Sequence, residues 1–277
     1  MLKMPHWLLM IALAMVSPAI AESVHLRMTC QTDGKEAQLC KAGAERWSKK
    51  TGNTVEVIAI PHNQNDFAYL TQMMSSQSAD IDVYVIDVVW VGSFAEHLVD
   101  LSADVSDEER ARFFPAMLKN NIIEDRLVAI PWYTDAGLLY YRKDLLEKYA
   151  RTVPTTWEEL GETARVIQAG ERELGNDKMW GFVFQARAQE CLTCNAYEWL
   201  VSHNSGTLID ENGKLALDKE NAVKALTLIQ GFIGTITPQG VLNYAEEEAR
   251  GIFQTGNAVF MRNWPYAWAL ANSPDSP

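Results

Sequence analysis

Residues 251–270, GIFQTGNAVFMRNWPYAWAL, decide how this chain is read. A Phe-rich helix end passes through Gly256 and Asn257 into a short apolar strand at 258–261. The strand empties into Arg262, Asn263, Trp264, Pro265 and Tyr266, with Trp268 close behind. Flat rings and hydrogen-bonding side chains therefore gather just past a strand's end, which in an open α/β sheet is where ligands are held. A pyranose suits such a surface: its C–H faces lie on rings and its hydroxyls meet planar polar groups. The alternative is a core aromatic cluster, the common fate of an isolated Trp.

Working outward, the first half alternates strand and helix. Strands are expected at 24–28, 54–60 and 81–86, rich in Val and Ile. Between them lie a helix at 38–50, with Leu39, Gly43 and Trp47 on one face and Gly52-Asn53 as its stop, and a helix at 66–76 with Phe67, Leu70 and Met74 inward. That alternation implies a parallel sheet with right-handed crossovers. A helix at 107–120 and a strand at 127–130 follow, and Pro131 ends the strand. The stretch Trp132-Tyr133-Thr134-Asp135-Ala136-Gly137 then leads into a new strand at 138–141. Two strands joined by a short extended link read as an interdomain crossing, giving a first domain at 22–130, a crossing at 131–137 and a second domain from 138.

The second domain is more helical. Helices are expected at 144–149, 190–203, 219–232 and 246–253. Thr156 with Glu159 makes a capping box for another, reaching Glu173. A strand is expected at 180–184, and Asn212-Gly213 marks a hairpin turn between 207–209 and 215–217.

The first residues read as a cleavable leader. Lys3 supplies the positive end, 7–16 is apolar, and Ala19-Ile20-Ala21 is a small-x-small cleavage site, so 1–21 is a signal peptide. The apolar run is shorter than the roughly 20 residues a membrane span needs. The mature chain is thus expected outside the cytoplasm, where disulfides persist. Cys30 and Cys40 flank a short loop and are expected to be bonded. Cys191 and Cys194 are read as free or loosely paired thiols on a helix, and a zinc site lacks a convincing fourth ligand. The formal charge of −12 falls to −13 once Lys3 leaves with the leader. Such a surface repels nucleic acid, whose binding needs Lys and Arg to displace counterions. A hydrophobic content of 48% suffices for one or two cores.

Among candidate site residues, Asp87 follows a parallel strand and could accept from two sugar hydroxyls, or could cap the next turn instead. Tyr133 and Asp135 sit at the crossing, with Trp132 a weaker candidate. The run Glu246-Glu247-Glu248 reads as a solvated helix face favoured by the dipole. No residue set points to catalysis: no nucleophile elbow, HExxH or P-loop occurs. A glycoside hydrolase using cleft carboxylates such as Asp87 and Asp135 remains the enzymatic alternative.

Five segments carry a family resemblance: ADIDVYVIDVVW (79–90), AIPWYTDAGLLYYRKDLLEKY (129–149), PTTWEEL (154–160), LTCNAYEW (192–199) and EEEARGIFQTGNAVFMRNWPYAWALANS (246–273). In these the chain resembles the extracellular solute-binding proteins of ABC sugar importers, in particular the trehalose/maltose-binding branch. The resemblance implies a two-lobed α/β fold of the type II periplasmic-binding-protein class. It implies no catalysis and no cofactor. It further implies a monomeric periplasmic receptor that closes on a disaccharide (trehalose-, maltose- or sucrose-like) and delivers it to ABC permease subunits. A receptor for another oligosaccharide or a polyol is the neighbouring alternative. Ligand contacts map to Asp87, Tyr133, Asp135 and Trp264, with Trp90 and Arg262 as their neighbours. Cys30 and Cys40 match cysteine positions in related binding proteins. Family members are longer, so the second lobe, 138–277, is expected to be incomplete, lacking its return to the first, and this form is expected to bind sugar weakly or not at all.

Overall fold

The computed structural model describes residues 23–31, 34–60, 66–210, 212–274 and 276. The expected leader lies outside them. The chain divides into two compact units, one reaching to Asp100 and one starting at Leu101. Residues 101–130, read from sequence as the end of the first lobe, are grouped with the second unit.

In the first unit, β1 (His25–Gln31), α1 (Gly34–Thr51) and β2 (Thr54–Ile60) form a β–α–β unit. The strands are parallel, from His25 opposite Thr54 to Gln31 opposite Ile60. Glu36 in the first turn of α1 and Lys49 and Lys50 in the last suit the helix dipole. Gly52, at φ +76°, supplies the left-handed residue that ends it. A disulfide joins Cys30 at the end of β1 to Cys40 on α1, as expected. It also turns α1: the buried stripe is Ala37, Cys40 and Ala44, while Leu39 and Trp47 are exposed. The inward face assigned from the larger side chains is therefore corrected. The bond to β1 orients the helix, and small residues let it lie close.

The helices α2 (Asp66–Ser75) and α3 (Val91–Phe94) complete this unit. Its core is Leu70, Met74 and Phe94, with Ile60, Tyr84, Ile86, Trp90 and Leu98 packed against it. The strand expected at 81–86 is reduced to a single parallel bridge, Met28 to Val83. Side chains take the places of further rungs: Arg27 N–H donates to Asp82 Oδ2 at 2.7 Å, and Val85 N–H to Thr29 Oγ1 at 2.7 Å.

The second unit opens with α4 (Asp107–Arg110) and α5 (Pro115–Asn120), where one helix was expected. Pro115 explains the break, because the residue before a proline is pushed out of the helical region and Phe114 stands at φ −62°, ψ 127°. A small hairpin follows, β3 (Ile122–Ile123) with β4 (Arg126–Leu127), turning through Glu124 and Asp125 at positive φ. The strand expected at 127–130 stops at Leu127.

The remaining elements are β5 (Leu138–Tyr141), α6 (Lys143–Lys148), α7 (Trp157–Glu173), β6 (Trp180–Val183), α8 (Glu190–Ser202), α9 (Lys219–Phe232), α10 (Glu246–Gln254), β7 (Ala258–Asn263) and α11 (Tyr266–Ala271). The sheet order is β5-β7-β6, with β5 antiparallel and β6 parallel to the central β7. All six residues of β7 are buried, as befits a strand covered on both faces. The main core stacks Phe182 on Phe184 and sets Trp199 edge-on to Phe184, with Leu160, Ile167, Phe232, Ile236 and Phe260 around them. The hairpin expected across 207–217 shrinks to one bridge, Ile209 to Leu215, since Asp210 Oδ1 closes the loop by accepting the N–H groups of Asn212 and Lys214.

Candidate functional site

The end of β7 is the chemically richest place among the described residues. The strand runs two residues further than its apolar pattern suggests, so Arg262 and Asn263 lie inside the sheet rather than beyond it. Antiparallel pairing sets Leu138 opposite Asn263 and Leu139 opposite Arg262. The link 131–137 therefore enters the sheet beside the residues that follow β7. Tyr140 strengthens the junction by donating its hydroxyl to the Trp264 carbonyl at 2.8 Å. Burial chiefly, and the nearby Asp135 carboxylate, push that phenol above its ordinary value.

Arg262 is only 2% exposed, and its charge is met inside the protein. Nε donates to Glu198 Oε2 at 3.2 Å, Nη2 bonds the other oxygen of Glu198, and Nη1 reaches Gln185 Oε1 at 3.5 Å. This fork-on-carboxylate geometry is the strong form of an ion pair. Its Cζ lies 3.8 Å from the centroid of the Trp264 ring, a cation–π contact. Gln185 in turn donates to the Arg262 carbonyl at 3.0 Å and is held by Asn195 Nδ2, which donates to its carbonyl at 2.7 Å. Gly137 passes so close that a Cβ there would collide with Glu198 Oε1 and Arg262 Nη2.

The other edge of the indole meets α10. Trp264 Nε1 donates to Glu246 Oε1 at 3.4 Å, and Asn263 Nδ2 donates to the Glu246 carbonyl at 3.1 Å. Glu246 also accepts from the Cys191 thiol and from Gln189 Nε2. Glu247 accepts from Arg250 and from the Tyr266 hydroxyl, and Glu248 pairs with Arg187 at 3.3 Å. The acidic run is thus not a purely solvated face. Each carboxylate has an assigned partner. Cys191 and Cys194 are unpaired thiols one turn apart on α8. Burial first, then the carboxylates of Glu246 and Glu190, raises Cys191 far above the ordinary thiol value; burial and Glu190 push Cys194 up to about 12.

Of the residues singled out from sequence, Arg262, Trp264 and Asp135 are brought into one neighbourhood. Tyr133 is 43% exposed on the same link, beside Trp132 at 52%. Asp87 and Trp90 belong to the first unit. Asp87 Oδ1 accepts the Val89 N–H at 3.1 Å, and its carbonyl accepts the Trp90 N–H, so it shapes a turn. The Trp90 ring packs against Phe67 and Phe94, with centroids 5.5 and 6.3 Å away. Sequence reasoning missed Glu198, Gln185, Asn195, Gly137 and Tyr140. A signal existed: Glu190, Cys191, Cys194, Asn195 and Glu198 recur at helical spacing, a polar stripe along one face of α8.

Comparison with known proteins places this geometry in context. Residues 33–276 match the family described as bacterial extracellular solute-binding protein. A Deinococcus radiodurans protein named "Probable ABC transporter-binding protein" is 45% identical over 96% of this chain and 64% of its own length. The structure of maltose-bound T. maritima MalE3 superposes with a TM-score of 0.80 at 42% identity, covering 92% of this chain and 65% of that one. A solute-binding protein from Agrobacterium radiobacter K84, in complex with ribitol, gives 0.70 at 26% identity over 91% of this chain and 63% of its own. The chain thus spans somewhat less than two thirds of the length of these relatives.

Proposed function

Because the chain belongs to the bacterial extracellular solute-binding protein family and carries its type II α/β fold, we propose that it is the periplasmic sugar receptor of an ABC importer. Its ligand is an α-linked glucose disaccharide of the maltose or trehalose kind, which it passes, as a monomer, to the permease subunits. The observation that carries this reading is the Trp264 indole at the end of β7, next to the link bearing Tyr133 and Asp135, in a chain 42% identical to a protein solved with maltose. An aromatic plate with polar groups at its rim suits a pyranose. Trp264 takes the sugar ring, while Asp135 and Tyr133 take hydroxyls.

Titration calorimetry of the full gene product with maltose, trehalose, sucrose and ribitol tests the proposal. Heat with a disaccharide and none with ribitol supports it. Heat with ribitol alone selects the polyol alternative, which the ribitol-bound relative favours. Silence with all four overturns the ligand class, and release of free glucose would select the hydrolase.

A further inference from the structure

We infer that Arg262 is the underside of the Trp264 platform rather than a sugar contact, and that Glu198 is the positioning residue that locks it there. The functional part of this inference rests on the reading that Trp264 receives a sugar ring. A guanidinium stacks with its flat face and donates with its edge. In Arg262 both are already used: the edge donates to Glu198 and Gln185, and the face lies 3.8 Å from the indole centroid. At 2% exposure it has no surface left to offer a ligand. An indole has two faces, and the reading above assigns the one turned from Arg262 to a ring-shaped ligand.

Glu198 is the member that fixes the stack. It comes from α8, holds the guanidinium through both oxygens, and is itself 34% exposed, so it reaches the network from the solvent side. Two further elements leave the pair little room. The Gly137 backbone lies directly over it, where a side chain would collide with both partners. Gln185, braced by Asn195, holds the Arg262 backbone and Nη1. Glu246 pins the indole's own edge through Nε1. Plate, backing and brace thus come from β7 with its following residue, α8 and α10.

The test is a double-mutant cycle with two readouts. Glu198→Gln keeps the shape of the side chain and removes its charge. The difference in fluorescence between the parent and Trp264→Ala isolates one indole among nine tryptophans. Glu198→Gln should shift that difference spectrum without any sugar present. It should weaken maltose binding roughly three- to tenfold, the range of a partly desolvated cation–π contact. In the Trp264→Ala background the same change should alter affinity by less than about twofold. If circular dichroism shows Glu198→Gln unfolded, Arg262→Lys, which keeps the charge and loses the plane, carries the same comparison. An unchanged Trp264 spectrum, or equal losses of affinity in both backgrounds, would overturn the positioning role. Trp264→Ala without effect on maltose sinks the sugar reading instead, and the spectrum still decides whether Glu198 sets the indole.

Discussion

Trp90 and Trp264 occupy comparable places in the sequence, each just after a stretch read as a strand, yet they are built into different surroundings. Trp90 stands among rings, tilted against Phe67 and edge-on to Phe94, packed against the Leu70, Met74 and Phe94 core of its unit. Trp264 stands among charges, with a guanidinium on one face and a carboxylate at its Nε1. The difference teaches that a tryptophan near a strand's end becomes core or platform according to what its neighbours can hydrogen-bond. Phe67 and Phe94 can only pack, whereas Arg262, Glu198 and Glu246 fix an orientation.

The largest effect should separate the two rings by stability. Both are half-buried, so the contrast rests on what each touches. Trp90→Ala, which removes ring contacts with Phe67 and Phe94, should cost about 2 kcal/mol in urea unfolding, and Trp264→Ala, which removes contacts with polar groups, about 1 kcal/mol or less. Equal losses would break the comparison. Affinity should reverse the order: Trp264→Ala should lose about 2 kcal/mol of maltose binding by calorimetry, roughly thirtyfold. The chemistry beside Trp264 gives a third contrast. Cys194 is pushed up to about 12 by burial and Glu190, and Cys191 is raised further. Neither thiol of the folded protein should therefore react appreciably with iodoacetamide at pH 8, while both label on unfolding. Rapid labelling of Cys191 in the native protein, seen by mass spectrometry, would contradict its burial beside Glu246 and Glu190.

The smallest effect serves as a control, an ion pair in the second unit built beside a tyrosine rather than an indole. Lys148 donates to Glu171 at 2.6 Å, and the Tyr149 hydroxyl donates to the same oxygen at 2.9 Å. These contacts, Lys148 first, hold the Glu171 carboxyl below its ordinary range. A lowered carboxylate contributes stability above its unfolded value, and that contribution is lost as pH falls through the lower folded value. Lys148→Met should thus lower the melting temperature slightly at pH 7, and the gap should close in strong acid. A gap that widened on acidification would contradict the pairing.

What could be read from the sequence followed from the kind of signal available. The helices α7, α8, α9 and α10 announced themselves by spacing and caps, and Thr156 does accept the Glu159 N–H at 3.1 Å. The reciprocal arm differs, because the Glu159 carboxylate takes the Thr155 N–H at 2.7 Å. The first four residues of β7 were legible as an apolar run. Arg262 and Asn263 were not, since polar residues belong in a buried strand only once Glu198, Gln185 and the Glu246 carbonyl supply partners, and these come from distant positions. The buried face of α1 was misread because Ala37, Cys40 and Ala44 carry little hydrophobic signal beside Leu39 and Trp47. The split between α4 and α5 could have been read from Pro115. In the site, the aromatic and acidic residues were visible as types, but the acceptor on α8 that fixes them needed the fold.

The central strand of the three-stranded sheet is also the last of its strands to be made. The Tyr140 hydroxyl bond to the Trp264 carbonyl spans 124 positions, and β5 and β6 are both synthesised before β7 exists to join them. A nascent chain that has not yet reached β7 carries two strands whose facing edges lack a partner, the kind of edge that invites pairing with other chains. Contacts so far apart in sequence form slowly. The aromatic plate is therefore among the last features of this sheet to assemble, and until then its two flanking strands have no shared partner.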